Sequence, residues 1–248
     1  MPKHTRNILF ALLSACAIIL TLPSCRVVKN LPEGQTLLVK NKFDIKSKKL
    51  GFTEKERVHD DLSKIAAQKP NVRFLGIMPF RMWLYYSATR GKKLTKFKQW
   101  IIDKVGEPPV VYDSTSSEKS ITNMENYLWN YGYFNRQVTD TAITKNRRTR
   151  VIYTVLPNVQ WKIGNVQLPG GRTATDSIVR ESYKNSYLKK GDGFSVATLK
   201  NERDRIENVL RNSGFFYFNR EYVTYEFDTV TTPHVVNMKI ITNQPSDS

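Results

Sequence analysis

Apolar residues recur at every third or fourth position in two long stretches of the chain. Ile121, Met124, Leu128 and Tyr131 form one helical stripe, and Leu199, Ile206, Val209 and Leu210 form another. Each stripe stops at a glycine, Gly132 or Gly214, where a helix end favours a left-handed residue. Beyond each glycine the period changes to two. Val223, Tyr225 and Phe227 alternate with Tyr222, Thr224 and Glu226; after Thr231-Thr232-Pro233, Val236, Met238 and Ile240 alternate with Asn237, Lys239 and Ile241. The pattern predicts a hairpin with one buried face. Val138–Thr144 and Arg150–Leu156, flanking the polar turn Lys145-Asn146-Arg147-Arg148, predict the same in the first stretch. Upstream of each long helix lies a further strand, Thr36–Ile45 or Trp161–Leu168, and a shorter helix. Thr53 and Glu56 have capping-box spacing, opening a helix with Val58, Leu62 and Ile65 on one face. The turn Pro169-Gly170-Gly171 leads into a helix from Thr175 to about Asn185.

The two stretches are copies of one module. ENYLWNYGYF at 125–134 returns as ENVLRNSGFF at 207–216, an offset of 82, and each copy then carries Phe-Asn-Arg (134–136 and 218–220). Each module reads strand–helix–helix–strand–strand. The expected fold class is α+β: two tandem β-α-α-β-β modules, each a three-stranded sheet with two helices on one face. The expected bounds are 34–157 and 158–243, with a tail at 244–248.

Charge and the N-terminus narrow the function. The chain has 248 residues and a formal charge of +17, which demands an acidic partner or surface. Residues 1–24 read as an export signal: Lys3, His4 and Arg6 precede an apolar run from Ile8 to Leu22 that is too short to span a bilayer. Leu22-Pro23-Ser24-Cys25 resembles the bacterial lipobox, which implies lipidation at Cys25 and a linker over 25–33; ordinary cleavage near Ser24 is the alternative. Cys16 leaves with the signal, so the mature chain keeps one terminal thiol and no disulfide. Export also argues against nucleic acid as the acidic partner.

Residues 69–104 exceed the minimal module and sit between its two helices. Nine Lys and Arg face one acid, Asp103, for a net +8. Trp83, Tyr85, Tyr86 and Trp100 are interleaved with Lys92, Lys93 and Lys96, and Leu94, Phe97, Ile101 and Val105 fall at helical spacing. This is the pattern of a helix in a membrane interface; packing of the aromatics on their own module is the other reading.

No catalytic constellation emerges. His59 neighbours Asp60 and Asp61 without a shared helical face, and His234 stands alone. No His-x-x-x-His or cysteine pair offers a metal site, Gly191-Asp192-Gly193 lacks the rest of a phosphate loop, and no serine sits in a Gly-x-Ser-x-Gly elbow. The expectation is a non-enzymatic chain with no cofactor and no metal.

The element order, with a glycine-aromatic pair closing the second helix, resembles a POTRA domain. The lipobox cysteine, Leu31-Pro32-Glu33-Gly34 before the first strand, and Gly106-Glu107-Pro108-Pro109-Val110 before the long helix are similar to lipid-anchored BamA/TamA-like outer-membrane assembly proteins of Bacteroidetes, the TamL type. The resemblance covers residue 22 to about 243. It implies lipid-anchored modules in the periplasm, partnered by outer-membrane clients or other assembly components. The family continues into a β-barrel, so the chain reads as a fragment or as a barrel-less relative. It also implies that Asn135–Thr144 and Arg220–Asp228 are sheet edges, with Tyr222, Thr224 and Glu226 on the outward face as candidate docking positions; an edge covered by its surroundings is the alternative. A lipid-anchored adaptor for a partner protein or anionic envelope surface is the other functional class.

Overall fold

The computed structural model describes residues 28, 30–47, 49–73, 79–91 and 93–243. Cys25 with the rest of the export signal, and Lys92, lie outside them. The first module contains β1 (Leu37–Ile45), α1 (Phe52–Ile65), α2 (Phe80–Thr89), α3 (Lys96–Trp100) running into a π-helical turn (Ile101–Val105), α4 (Ser114–Asn130), β2 (Gln137–Lys145) and β3 (Arg148–Leu156). The second contains β4 (Lys162–Gln167), α5 (Ala174–Ser182), α6 (Val196–Asn212), β5 (Val223–Asp228) and β6 (Val235–Thr242). The fold is α+β with two three-stranded sheets, ordered β1-β3-β2 and β4-β6-β5. Contacts divide the chain into two compact units. Among the described residues, one joins those up to Asp44 with those of 63–121 and 139–154; the other joins those of 45–62 and 122–138 with those from Val155 on.

The helical stripes are buried as the periodicity requires: Met124 and Leu128 on α4, Leu199, Ile206 and Leu210 on α6. Gly132 and Gly214 both have positive φ, 78° and 99°. Helix starts differ from expectation. Helix α1 begins at Phe52, so Thr53 lies inside the first turn and cannot cap it. Helix α5 begins at Ala174, one residue before the expected start, and the Thr173 side chain caps it by accepting from the Asp176 N–H.

The α6 stripe also contains a charge. Glu202 is fully buried between Leu199 and Ile206. Arg205 answers it through two bonds, Nε to Oε2 at 3.0 Å and Nη2 to Oε1 at 2.7 Å. Arg205 Nη1 also donates to Ser182 O at 3.2 Å, and Glu202 Oε2 accepts from the Tyr187 N–H at 2.9 Å. One ion pair thus pins α6 to the end of α5 and the loop after it. A search for apolar residues alone passes over it.

The repeated glycine-aromatic motif meets different surroundings in its two copies. In the first, Phe134 lies in an aromatic nest, with centroids 4.6 Å from Trp129, 5.1 Å from Trp161 and 5.4 Å from Phe194. The Trp161 N–H donates to Gly132 O at 2.9 Å, and Gln160 Nε2 to Tyr131 O at 2.9 Å. A Cβ at Gly132 would stand 2.9 Å from Phe194 O, whereas one at Gly214 would meet nothing within 4 Å. Phe216, the counterpart of Phe134, is 74% exposed and Tyr217 is 92% exposed.

Two stability predictions follow from these contacts. Glu202→Ala should cost about 3–5 kcal/mol in urea unfolding, because it strands Arg205 in the interior, while a paired Glu202→Leu/Arg205→Met exchange should come out near neutral. Gly214→Ala should cost about 1–2 kcal/mol for its left-handed backbone alone. Gly132→Ala should cost about 1–3 kcal/mol more, because its Cβ also overpacks against Phe194; equal losses at both glycines would refute the wedge.

Candidate functional site

The central strand of each sheet is the second strand of the hairpin, which leaves the first hairpin strand, β2 or β5, at an edge. In the second sheet β6 pairs parallel with β4 and antiparallel with β5. The β5 register sets Val223 opposite Thr242 and Thr224 opposite Ile241. The Asn243 N–H donates to Tyr222 O at 2.8 Å, which makes Tyr222/Asn243 a hydrogen-bonded pair. By antiparallel alternation Thr224/Ile241, Glu226/Lys239 and Asp228/Asn237 are the next such pairs. The backbone N–H and C=O of Tyr225 and Phe227 therefore point away from β6 along the free side, while the Val223 N–H is already engaged by Arg220 O in the turn before the strand.

This geometry revises the sequence reading in two places. Tyr222 is not part of the strand. It ends a 3-10 turn, Arg220–Tyr222, and packs against the second core, with its ring 5.6 Å from Phe218. The turn draws its side chain inward, off the face that strict alternation assigns to it. Thr224 and Glu226 do lie opposite the helix-facing side, since the Tyr225 hydroxyl donates to Leu199 O on α6 at 3.1 Å. Their backbone N–H groups, however, face β6. Burial beside the Glu202 carboxylate pushes the Tyr225 phenol well above its ordinary pKa, so it stays a neutral donor.

The loop after β5 is tied by Asp228. Its Oδ1 accepts from the Val230 N–H at 3.0 Å and the Thr231 N–H at 3.2 Å. These bonds, with the Thr231 hydroxyl contributing most, bring its pKa down to about 2. In the first hairpin the turn residues Asn146 and Arg147 both have positive φ, 51° and 57°, the signature of a two-residue hairpin connection.

The aromatic segment presents part of its surface outward. Phe80 stacks on Trp83 at 6.0 Å and Phe97 on Trp100 at 6.0 Å, and all four are exposed, as is Leu94. Lys93 and Lys96 are exposed beside them. Tyr86 differs: it packs against a small core of Val28, Leu31, Leu37 and Met82. Tyr85 is half-buried, its Cα 3.1 Å from where a Gly106 Cβ would stand. The segment is thus split between anchoring residues and an outward apolar set. Among the described residues no group of three or more His, Cys, Asp or Glu is placed to hold a metal.

No family model and no curated protein matches the chain. Among solved structures it is similar to POTRA1-2 of the periplasmic domain of Omp85 from Anabaena, at 14% identity and a TM-score of 0.37 over 87% of this chain and 100% of that one. The N-terminal domain of Omp85 from Thermosynechococcus elongatus aligns at 12% identity and a TM-score of 0.39 over 84% of this chain and 63% of that one. POTRA3-5 of BamA from Haemophilus influenzae aligns at 10% identity and a TM-score of 0.29 over 87% and 100%. The architecture of two three-stranded sheets with their helices rests on this chain's own fold.

Asp228 gives a pH prediction. A carboxyl whose pKa drops on folding from 3.8 to about 2 adds stability that is present above its unfolded value and is lost as pH falls through the folded one. Asp228→Asn should therefore flatten the decline of the urea midpoint between about pH 4 and pH 2 and leave the shape above pH 5 unchanged. Parallel acid limbs in the two proteins would refute the assignment.

Proposed function

We propose that this chain is the periplasmic interaction region of an outer-membrane protein assembly or translocation factor, and that it receives client or partner polypeptides by strand pairing at its sheet edges. The observation that carries this reading is the edge strand β5, whose outward backbone groups at Tyr225 and Phe227 can add an extended segment. Backbone bonds supply most of such an interface, which suits unfolded clients of many sequences. The strand β2 offers a second edge, exposed along most of its length.

In this reading Cys25 carries the lipid anchor, residues 34–157 and 158–243 are the two modules, and both stand in the periplasm. The exposed Phe80, Trp83, Phe97 and Trp100 with Lys93 and Lys96 support a second role, contact with an anionic envelope surface close to the anchor.

Proline at an outward N–H leaves the sheet ladder whole, whereas proline at an inward N–H breaks it. Phe227→Pro should keep a near-normal fold and bind extended peptides from outer-membrane strands at least tenfold more weakly, while Phe227→Ala binds as wild type does. Thr224→Pro should instead lower the melting temperature. Undiminished peptide affinity in a folded Phe227→Pro chain would exclude β5 as the docking edge. Cys25→Ala should abolish palmitate labelling and release the chain from membranes, since two or three acyl chains are needed for stable anchoring.

A further inference from the structure

Helix α6 turns Leu199, Ile206 and Leu210 into the core of the second module. Its two flanks meet different surroundings. On one, Arg205 reaches Ser182 O at the end of α5. At about 100° per residue, Arg203 stands about 160° around the helix from Arg205, on the flank away from α5. There its guanidinium lies over the Tyr225 ring, 5.3 Å from the centroid. Tyr225 is also a position of β5 whose backbone N–H and C=O turn outward. The open edge of β5 and the outer flank of α6 thus meet at Tyr225. Lys200, one turn before Arg203, is exposed.

Arg203 has no carboxylate of its own. Helix α6 carries three acids, and each is taken: Glu202 by Arg205 at 2.7 Å, Asp204 by Arg220 at 3.0 Å and Glu207 by Arg211 at 3.0 Å. Glu226, next to Tyr225 in sequence, points to the opposite face of β5 and binds Lys239 at 3.2 Å. Arg203 Nε is buried and donates to nothing among the described residues. Burying a donor of a charged group without an acceptor is costly, and stacking on an aromatic face offsets only part of the cost. The stacking also holds the guanidinium in one plane, so little side-chain freedom remains to be lost when an acceptor arrives.

The first copy shows that this cation is not a demand of the fold. At the repeat offset of 82, Lys200 and Arg203 correspond to Glu118 and Ile121 on α4. An acid and an apolar residue serve there.

We propose that the β5 edge selects extended segments carrying an acidic side chain opposite Tyr225, and that Arg203 is the residue that reads it. This rests on strand pairing at β5 and names the chemistry of the segment that pairs. An added strand lies about 5 Å from β5, and its residue opposite Tyr225 shares the helix-facing side. A Glu or Asp there comes within reach of the guanidinium, whose terminal nitrogens form a fork for both carboxylate oxygens. A Lys there meets the like charges of Arg203 and Lys200. Backbone bonds supply the affinity, and Arg203 sets the preference by attraction and by repulsion.

The test uses the full chain and short labelled peptides of alternating Thr and Val with Glu, Gln or Lys at the central position, with affinity read by fluorescence anisotropy. The Glu peptide should bind about tenfold more tightly than the Gln peptide, and the Lys peptide more weakly than either. Arg203→Gln should bring the Glu and Gln peptides within about twofold of each other. Arg203→Lys, which keeps the charge and the stem but not the fork, should retain a preference of about threefold. Lys96→Gln removes one charge from the first module and should leave the full preference intact. Phe227→Pro should weaken both peptides alike. Unaltered melting temperatures establish that the variants fold. If the Glu and Gln peptides bind the unmodified chain equally, selection by Arg203 is wrong and strand pairing stands. A preference that survives Arg203→Gln, or that Lys96→Gln removes, belongs to the net charge of the chain and overturns the proposal. If no peptide binds, pairing at β5 fails and the proposal fails with it.

Discussion

A backbone N–H or C=O withdrawn from water must find a partner, and in the second module β6 meets that demand on both sides. It pairs parallel with β4 and antiparallel with β5, so β5 is left with one satisfied side and one open side. The first sheet repeats the order, with β3 between β1 and β2. The proposed activity depends on this arrangement. If the first hairpin strand occupied the centre, the outward groups of Tyr225 and Phe227 would be spent inside the sheet.

The repeated motif shows how one local sequence serves two settings. Gly132 and Gly214 both end a helix with positive φ, and each is followed by aromatic residues. Around Gly132 those aromatics close on Trp161 and Phe194, and the glycine is required by a close approach as well as by its backbone angle. Around Gly214 only the backbone angle requires it, and Phe216 and Tyr217 stand in solvent. The buried pair Glu202–Arg205 makes a related point within one helix: a carboxylate occupies a core position because Arg205 and the Tyr187 N–H satisfy it, and Arg205 is in turn held by Ser182 O at the end of α5.

The copies also diverge in electrostatics while keeping their topology. Arg148 and Arg150 occupy the outward face of β3, while the outward face of β6 carries Asn237 and Lys239, with Lys239 neutralised by Glu226. Outward positions of a sheet are constrained weakly by packing, so charge there is free to follow function.

Periodicity determined most of the fold. The apolar stripes of α4 and α6, the glycine stops and the alternation in both hairpins are local properties of the chain, and a repeat of period 82 established that one module is used twice. The edge positions of β2 and β5 followed from the family resemblance, and Thr224 and Glu226 were assigned to the outward face by alternation alone. What sequence could not supply depends on partners distant along the chain. The inward packing of Tyr222 against Phe218, the hydrogen-bond phase that turns the Thr224 N–H toward β6, and the packing of Tyr86 against Val28, Leu31, Leu37 and Met82 arise from tertiary contacts. The surface groove lined by Val39, Arg73 and Arg150 is the clearest case: these three are separated by tens of residues, and only the tertiary fold brings them together.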